Sequence, residues 1–122
     1  PALQLVESFP APVQLVSSQG VWLRVKDADG SIIFERIMDA HTPYEVPLND
    51  PPAVIERAGN ASALFFLVNG ALYGPAGGSG RVAKNIELSA EKLTQSYERY
   101  APQDQSPLYS LMLELETDRV KP

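Results

Sequence analysis

Apolar and polar residues alternate with a period of two along most of the chain, the spacing that sends successive side chains to opposite faces of a strand. The pattern is plainest at Val21 to Lys26, where Val21, Leu23 and Val25 point one way and Trp22, Arg24 and Lys26 the other. Asp27-Ala28-Asp29-Gly30 follows, and Asp-Gly supplies the positive-φ corner of a tight hairpin. Ser31 to Met38 therefore reads as the returning strand, with Ile32 and Phe34 on one face. The alternation breaks over Glu35-Arg36-Ile37-Met38, which predicts a bulge there. Further short strands are predicted at 13–17, at 44–46 closed by Pro47, and at 53–58. Ala63 to Val68 is continuously apolar, the signature of a central strand covered on both faces. Asn69-Gly70 is the strongest hairpin signal in the chain and turns it back into Ala71 to Tyr73. A last strand spans 82–88, with Val82, Ile86 and Leu88 as inward positions.

The segments between these runs are punctuated by residues that cannot continue a ladder. Prolines cluster at 10 and 12, at 43, 47, 51 and 52, and at 102 and 107, marking turns and element boundaries because proline lacks the donor N–H. Asn49-Asp50-Pro51-Pro52 is irregular by the same rule. The glycines at 74, 77, 78 and 80 make a flexible loop. Ser89 has the character of a helix N-cap, with Glu91 in the first turn and a helix to about Tyr100 that Pro102 stops. Ser106-Pro107 begins a second candidate helix, with Leu108, Leu111, Met112 and Leu115 at helical spacing. Leu111, Leu113 and Leu115 also fit a strand, and the helix is preferred. The sum is a mainly β protein: a small antiparallel β-sandwich or barrel of seven or eight strands with one or two C-terminal helices. Without strand–helix–strand alternation a parallel sheet is out. Residues 1–12 read as a linker or edge segment, 13–100 as the β-rich domain and 101–122 as a tail.

Composition narrows the function classes. At 122 residues one domain is expected. No apolar run reaches the ~18 residues of a membrane span, so this segment reads as soluble. The absence of cysteine removes disulfides, thiolate metal sites and cysteine nucleophiles. A net charge of −5 makes a poor polyanion binder, so nucleic acid is not an expected partner. Residue 1 is Pro rather than Met and no signal peptide is visible, which suggests an excised or processed domain.

Most residues of chemically active types have plainer uses here. His41, the only histidine, would have to serve any triad or histidine metal cluster, and its place in a predicted turn beside a proline reads instead as a solvent-exposed turn residue. Asp27 and Asp29 invite a calcium loop, but Gly30 is fourth rather than sixth from Asp27, and the twelfth position is Met38 rather than glutamate. The glycines at 74–80 precede a strand, not a helix, and lack the Gly-Lys-Ser/Thr of a phosphate cradle. A Glu35/Glu45 glycosidase pair has no spacing argument behind it. Asn60-Ala61-Ser62 fits a glycosylation pattern that is frequent by chance. No cofactor, no metal and no enzymatic activity is implied. The remaining candidates form a partner-binding set: Trp22, Arg24 and Lys26 on one strand face, with Tyr44 and Tyr73 as further aromatics. An exposed aromatic beside two cations binds proteins or stacks on sugars; the competing expectation is that a C-terminal helix or the tail packs over Trp22.

The stretch from Trp22 to Leu88 resembles the C-terminal domain of RodZ-like bacterial cell-shape proteins. The matching residues are W-L-R-V-K-D-A-D-G (22–30), I-I-F-E (32–35), G-N-A (59–61), V-N-G (68–70) and R-V-A-K-N-I-E-L (81–88). The G-P-A-G-G-S-G loop (74–80) and the tail after Tyr100 extend beyond that pattern. The resemblance implies a membrane-anchored parent with a cytoplasmic helix-turn-helix domain, one transmembrane helix and this β-rich domain at the periplasmic face of the inner membrane. It also implies a non-catalytic role coupling cytoskeleton to cell-wall synthesis, with envelope or cell-wall synthesis proteins as partners. A small carbohydrate- or peptidoglycan-binding module is the alternative. The strands at 13–17 and 44–46 are the expected free edges for strand addition.

Overall fold

The computed structural model describes residues 12–47, 51–102 and 106–120. All but the last residue of the expected 1–12 linker, and part of the irregular 49–52 stretch, lie outside the described residues. Among the described residues nine strands form two antiparallel sheets. They are β1 (Val13–Ser17), β2 (Val21–Lys26), β3 (Ile32–Met38), β4 (Tyr44–Glu45), β5 (Val54–Ala58), β6 (Leu64–Val68), β7 (Ala71–Tyr73), β8 (Ala83–Glu87) and β9 (Arg99–Tyr100). Sheet A has the order β4-β1-β6-β7-β9 and sheet B the order β3-β2-β5-β8. Two helices follow the sheets in sequence, α1 (Ala90–Ser96) and α2 (Pro107–Val120). The fold is sandwich-like and mainly β, as the two-residue periodicity requires.

The core lies between the sheets. Val13 and Leu15 of β1, Leu64, Phe66 and Val68 of β6 meet Val21, Leu23 and Val25 of β2 and Ile55 of β5. The hairpin corners take the backbone the sequence predicts: Gly30 has φ 88°, and Asn69 and Gly70 have φ 51° and 77°. Asp29 Oδ1 accepts the Ser31 N–H at 2.9 Å and Asp27 Oδ1 the Ala28 N–H at 2.8 Å, so both carboxylates serve the first corner. Ser89 caps α1 by accepting the Lys92 N–H, and Leu93 anchors that helix in the core. Tyr97, at its C-terminal end, stacks 5.0 Å from Phe66 and donates its hydroxyl to the Ala76 carbonyl.

Strand β6 is buried at all five positions because it is covered twice. Its inner residues face sheet B. Its outer residues Phe65 and Leu67, with Val16 and Leu72, form a second cluster under Leu108, Leu111, Met112 and Leu115 of α2. The ambiguous tail is thus a helix, begun by Ser106, whose Oγ accepts the Tyr109 N–H at 3.1 Å, and by Pro107, whose fixed φ suits the first helical position.

Several expectations need correction. Strand β1 is not an edge: it lies between β4 and β6. The irregularity of the first hairpin falls opposite Val25/Lys26, near Ile33, rather than over Glu35–Met38, which pair regularly with β2. That shift separates Ile32, 50% exposed, from Phe34, which packs on Tyr44. The expected inward Val82 precedes β8 and is exposed, while Ile86 and Leu88 are buried. The helix expected to reach about Tyr100 ends at Ser96, and Arg99–Tyr100 instead pairs with β7. The 74–80 segment is pinned: Ala76 is buried and donates its N–H to the Leu64 carbonyl at 2.9 Å. A β-carbon on Gly77 would lie 2.9 Å from that of Ala61, so this loop tolerates no side chain there.

Candidate functional site

The two sheets differ in what lies over their outer faces. Helix α2 covers sheet A, whereas neither helix lies over the outer face of sheet B, and Trp22 there is half-buried. The expected helical cover over Trp22 is therefore absent among the described residues. Strand β2 builds this face because its alternation is strict: Val21, Leu23 and Val25 are fully buried, so Trp22, Arg24 and Lys26 must project outward.

The outward residues assemble by cross-strand pairing. Trp22 faces Ile37 and Arg24 faces Glu35 on β3. Between Arg24 and Val25 the β2–β5 register shifts, which leaves Glu56 as the extra residue, and its carboxylate meets both cations of β2. Arg24 donates through Nε to Glu35 and through Nη1 to Glu56 at 2.9 Å, while Lys26 pairs with the other Glu56 oxygen. The Arg24 guanidinium also lies 5.1 Å from the Trp22 ring centre, within range of a cation–π contact. An ordered row Glu56–Arg24–Glu35 thus crosses three strands, and beside it stand Trp22 and Ile37, the latter 61% exposed.

These pairs set the charge states. Hydrogen bonds from Lys26 first and Arg24 second hold the Glu56 carboxyl below its usual value near 4.5. Hydrogen bonds from Ser31, the backbone N–H foremost, lower Asp29 in the same way. A depressed carboxylate adds stability above its unfolded-state value and loses it as pH falls through the folded-state value. Wild-type stability is therefore expected to decline below about pH 4.5, and Glu56→Gln to decline less steeply over the same window. Urea unfolding at neutral pH and at several acid values checks this; parallel declines would remove Glu56 from the network.

The predicted set is only partly brought together. Trp22, Arg24 and Lys26 share the outer face of sheet B. Tyr44 sits on β4 of sheet A, its ring 4.6 Å from Phe34, and burial pushes its hydroxyl pKa up. Tyr73 on β7 packs against the core opposite Phe66. Sequence reasoning did not bring Ile37 and Glu56 to this face and weighed Glu35 only as half of a glycosidase pair; the hairpin register sets Glu35 and Ile37 opposite Arg24 and Trp22, and Glu56 was hidden by its bulge. Glu35 and Glu45 belong to different sheets. His41 is an exposed turn residue with φ 61°. Among the described residues no group of three His, Cys, Asp or Glu is placed to hold a metal ion, and no helix is long and apolar enough to cross a membrane. A shallow groove of about 450 Å³ between β8 and α1, lined by Lys84, Glu87 and Lys92 among others, holds no acid–base pair beyond the 3.7 Å contact of Lys92 with Glu87.

Comparison with curated proteins and with solved structures found no match. Comparison with family models matched residues 14–86, more than half of the chain, to the RodZ C-terminal domain. The match contains the strands that carry Trp22, Arg24, Lys26, Glu35, Ile37 and Glu56, and stops before α1, β9 and α2. The chain belongs to the RodZ C-terminal domain family, a domain of cell-shape proteins.

Proposed function

We propose that this domain is a non-catalytic interaction module on the periplasmic side of the inner membrane, carried by a membrane-anchored parent that couples the bacterial cytoskeleton to cell-wall synthesis. Membership of the family supports the cell-shape setting. The observation that carries the binding role is the contrast between the outer faces: sheet A is sealed by α2, while sheet B presents Trp22 and Ile37 beside a fixed ion row. Aromatic and arginine side chains held rigid before binding lose little freedom when a partner arrives.

The test is a pull-down from solubilised bacterial envelope with the domain and its Trp22→Ala variant, followed by identification of cell-wall synthesis proteins. Wild type is expected to recover such proteins and the variant to recover several-fold less, since a central interface aromatic typically contributes ~2 kcal/mol or more. Equal recovery by both overturns the assignment of this face. The same partly exposed indole favours one rival reading, a peptidoglycan-binding module. Titration with peptidoglycan fragments, followed by the fluorescence of the single tryptophan, is expected to be flat; a saturable change would favour the rival.

A further inference from the structure

Four strands end the two sheets, and they are not equivalent. Strands β4 and β9 have two residues each. Strand β8 keeps one register along β5 but carries Asn85 at φ 56°, a left-handed backbone that an added strand would have to follow. Strand β3 has seven residues, with no proline and no lysine, and it exposes the apolar Ile32 and Ile37 together with the charged Glu35 and Arg36. Natural edges are usually blunted by shortness, bulges, proline or charge; over Phe34–Met38 β3 is long, regular and free of proline, and its only guards are the charges of Glu35 and Arg36, which turn away any strand that does not match them.

The charges along β3 say what fits beside it. Row by row across sheet B, Glu56 precedes Arg24 and Arg24 precedes Glu35, so signs alternate and end at the edge on a carboxylate. On the opposite face of β3, exposed Arg36 has only the Phe34 ring beneath it, at 5.2 Å, and no ion pair among the described residues. Beside them Ile37 extends the apolar row begun by Trp22. An antiparallel strand laid on this edge is matched when it carries an apolar residue opposite Ile37, an acidic one opposite Arg36 and a basic one opposite Glu35.

A second copy of the chain does not meet that requirement. Two β3 strands pairing antiparallel are related by a twofold axis perpendicular to the sheet, so facing residues must lie on the same face. An axis at Glu35 sets Glu35 against Glu35, and one at Arg36 sets Arg36 against Arg36. An axis at Ile37 sets Glu35 against Asp39. An axis at Phe34 leaves both charges opposite isoleucines and abuts the register shift near Ile33. No symmetric register pairs Glu35 with Arg36.

We infer that β3 is the docking edge for an extended strand of a different protein, one that reads apolar–acidic–basic in consecutive positions. This rests on the reading of the domain as a protein-binding module and names the partner's chemistry. The probe is a blocked peptide, Thr-Val-Thr-Ile-Glu-Arg-Thr-Val-Thr, titrated into the isotope-labelled 122-residue chain and followed by amide shifts and hydrogen exchange. Expected are shifts and slowed exchange along Ile32–Met38, with binding roughly fivefold to tenfold tighter than for a control peptide in which the central Glu and Arg are exchanged to read Ile-Arg-Glu. Arg36→Glu is expected to abolish that preference. Equal binding of the two peptides, or a response confined to β8 or to the outer face, overturns the inference. Recovery of a partner through Trp22 with β3 silent removes the edge alone. A responsive β3 with no envelope protein recovered removes the wider functional reading and keeps the edge.

Discussion

Phe66→Ala is expected to lower the unfolding free energy by about 3–5 kcal/mol and the melting temperature by roughly 10–20 °C. Phe66 is fully buried at the centre of β6. It pairs with Leu15 on one side and Tyr73 on the other, and its ring lies against Tyr97. The cavity left by its ring would be walled by two sheets that cannot both collapse into it, so the cavity cost adds in full to the lost transfer energy. The same truncation loosens Tyr97 and, through its hydroxyl, the pinned 74–80 loop. Calorimetry of the two proteins measures the difference. A loss below about 1 kcal/mol would place the hydrophobic centre elsewhere.

Removing residues 103–122 is expected to make the domain bind hydrophobic dye more strongly and self-associate more than the full chain does. The truncation strips α2 from the outer face of sheet A and exposes Val16, Phe65, Leu67 and Leu72, which are now nearly inaccessible. Each such side chain gives up on the order of 1.5–3 kcal/mol when returned to water, partly offset by the chain entropy that α2 regains. A net loss of about 3 kcal/mol is expected, and Leu108→Asp should reproduce much of it without shortening the chain, because Leu108 is only 6% exposed. Dye fluorescence and sedimentation check this. A truncated chain as stable as the full one, and sedimenting with the same oligomeric state, would mean that α2 is dispensable to sheet A.

Much of the fold was legible because period-two alternation and Asp-Gly or Asn-Gly corners are local signals. They placed β2, the first hairpin and β6, and the continuous apolar run at 64–68 announced a strand covered on both faces before its covering helix was known. Strand order was not legible. The interior position of β1 follows from its pairing with β6, some fifty residues later, and no local pattern reports such a partner. The first-hairpin bulge was misplaced for a related reason: the run Glu35–Met38 breaks apolar alternation because Arg36 on an edge strand reaches water from the inner face while Ile37 projects from the outer one. The site was half legible. Parity alone put Trp22, Arg24 and Lys26 together, but the acids that order them come from other strands, and Glu56 reaches them only through a register shift.

Asn85 carries a consequence for stoichiometry. A sheet open on both sides can accept a strand at each and so become a link in a growing fibre. Asn85 gives the β8 side of sheet B a left-handed backbone that β3 lacks, so the two sides of this sheet do not offer an incoming chain the same template. If β3 docks a strand as proposed, titration is expected to saturate at one peptide per molecule.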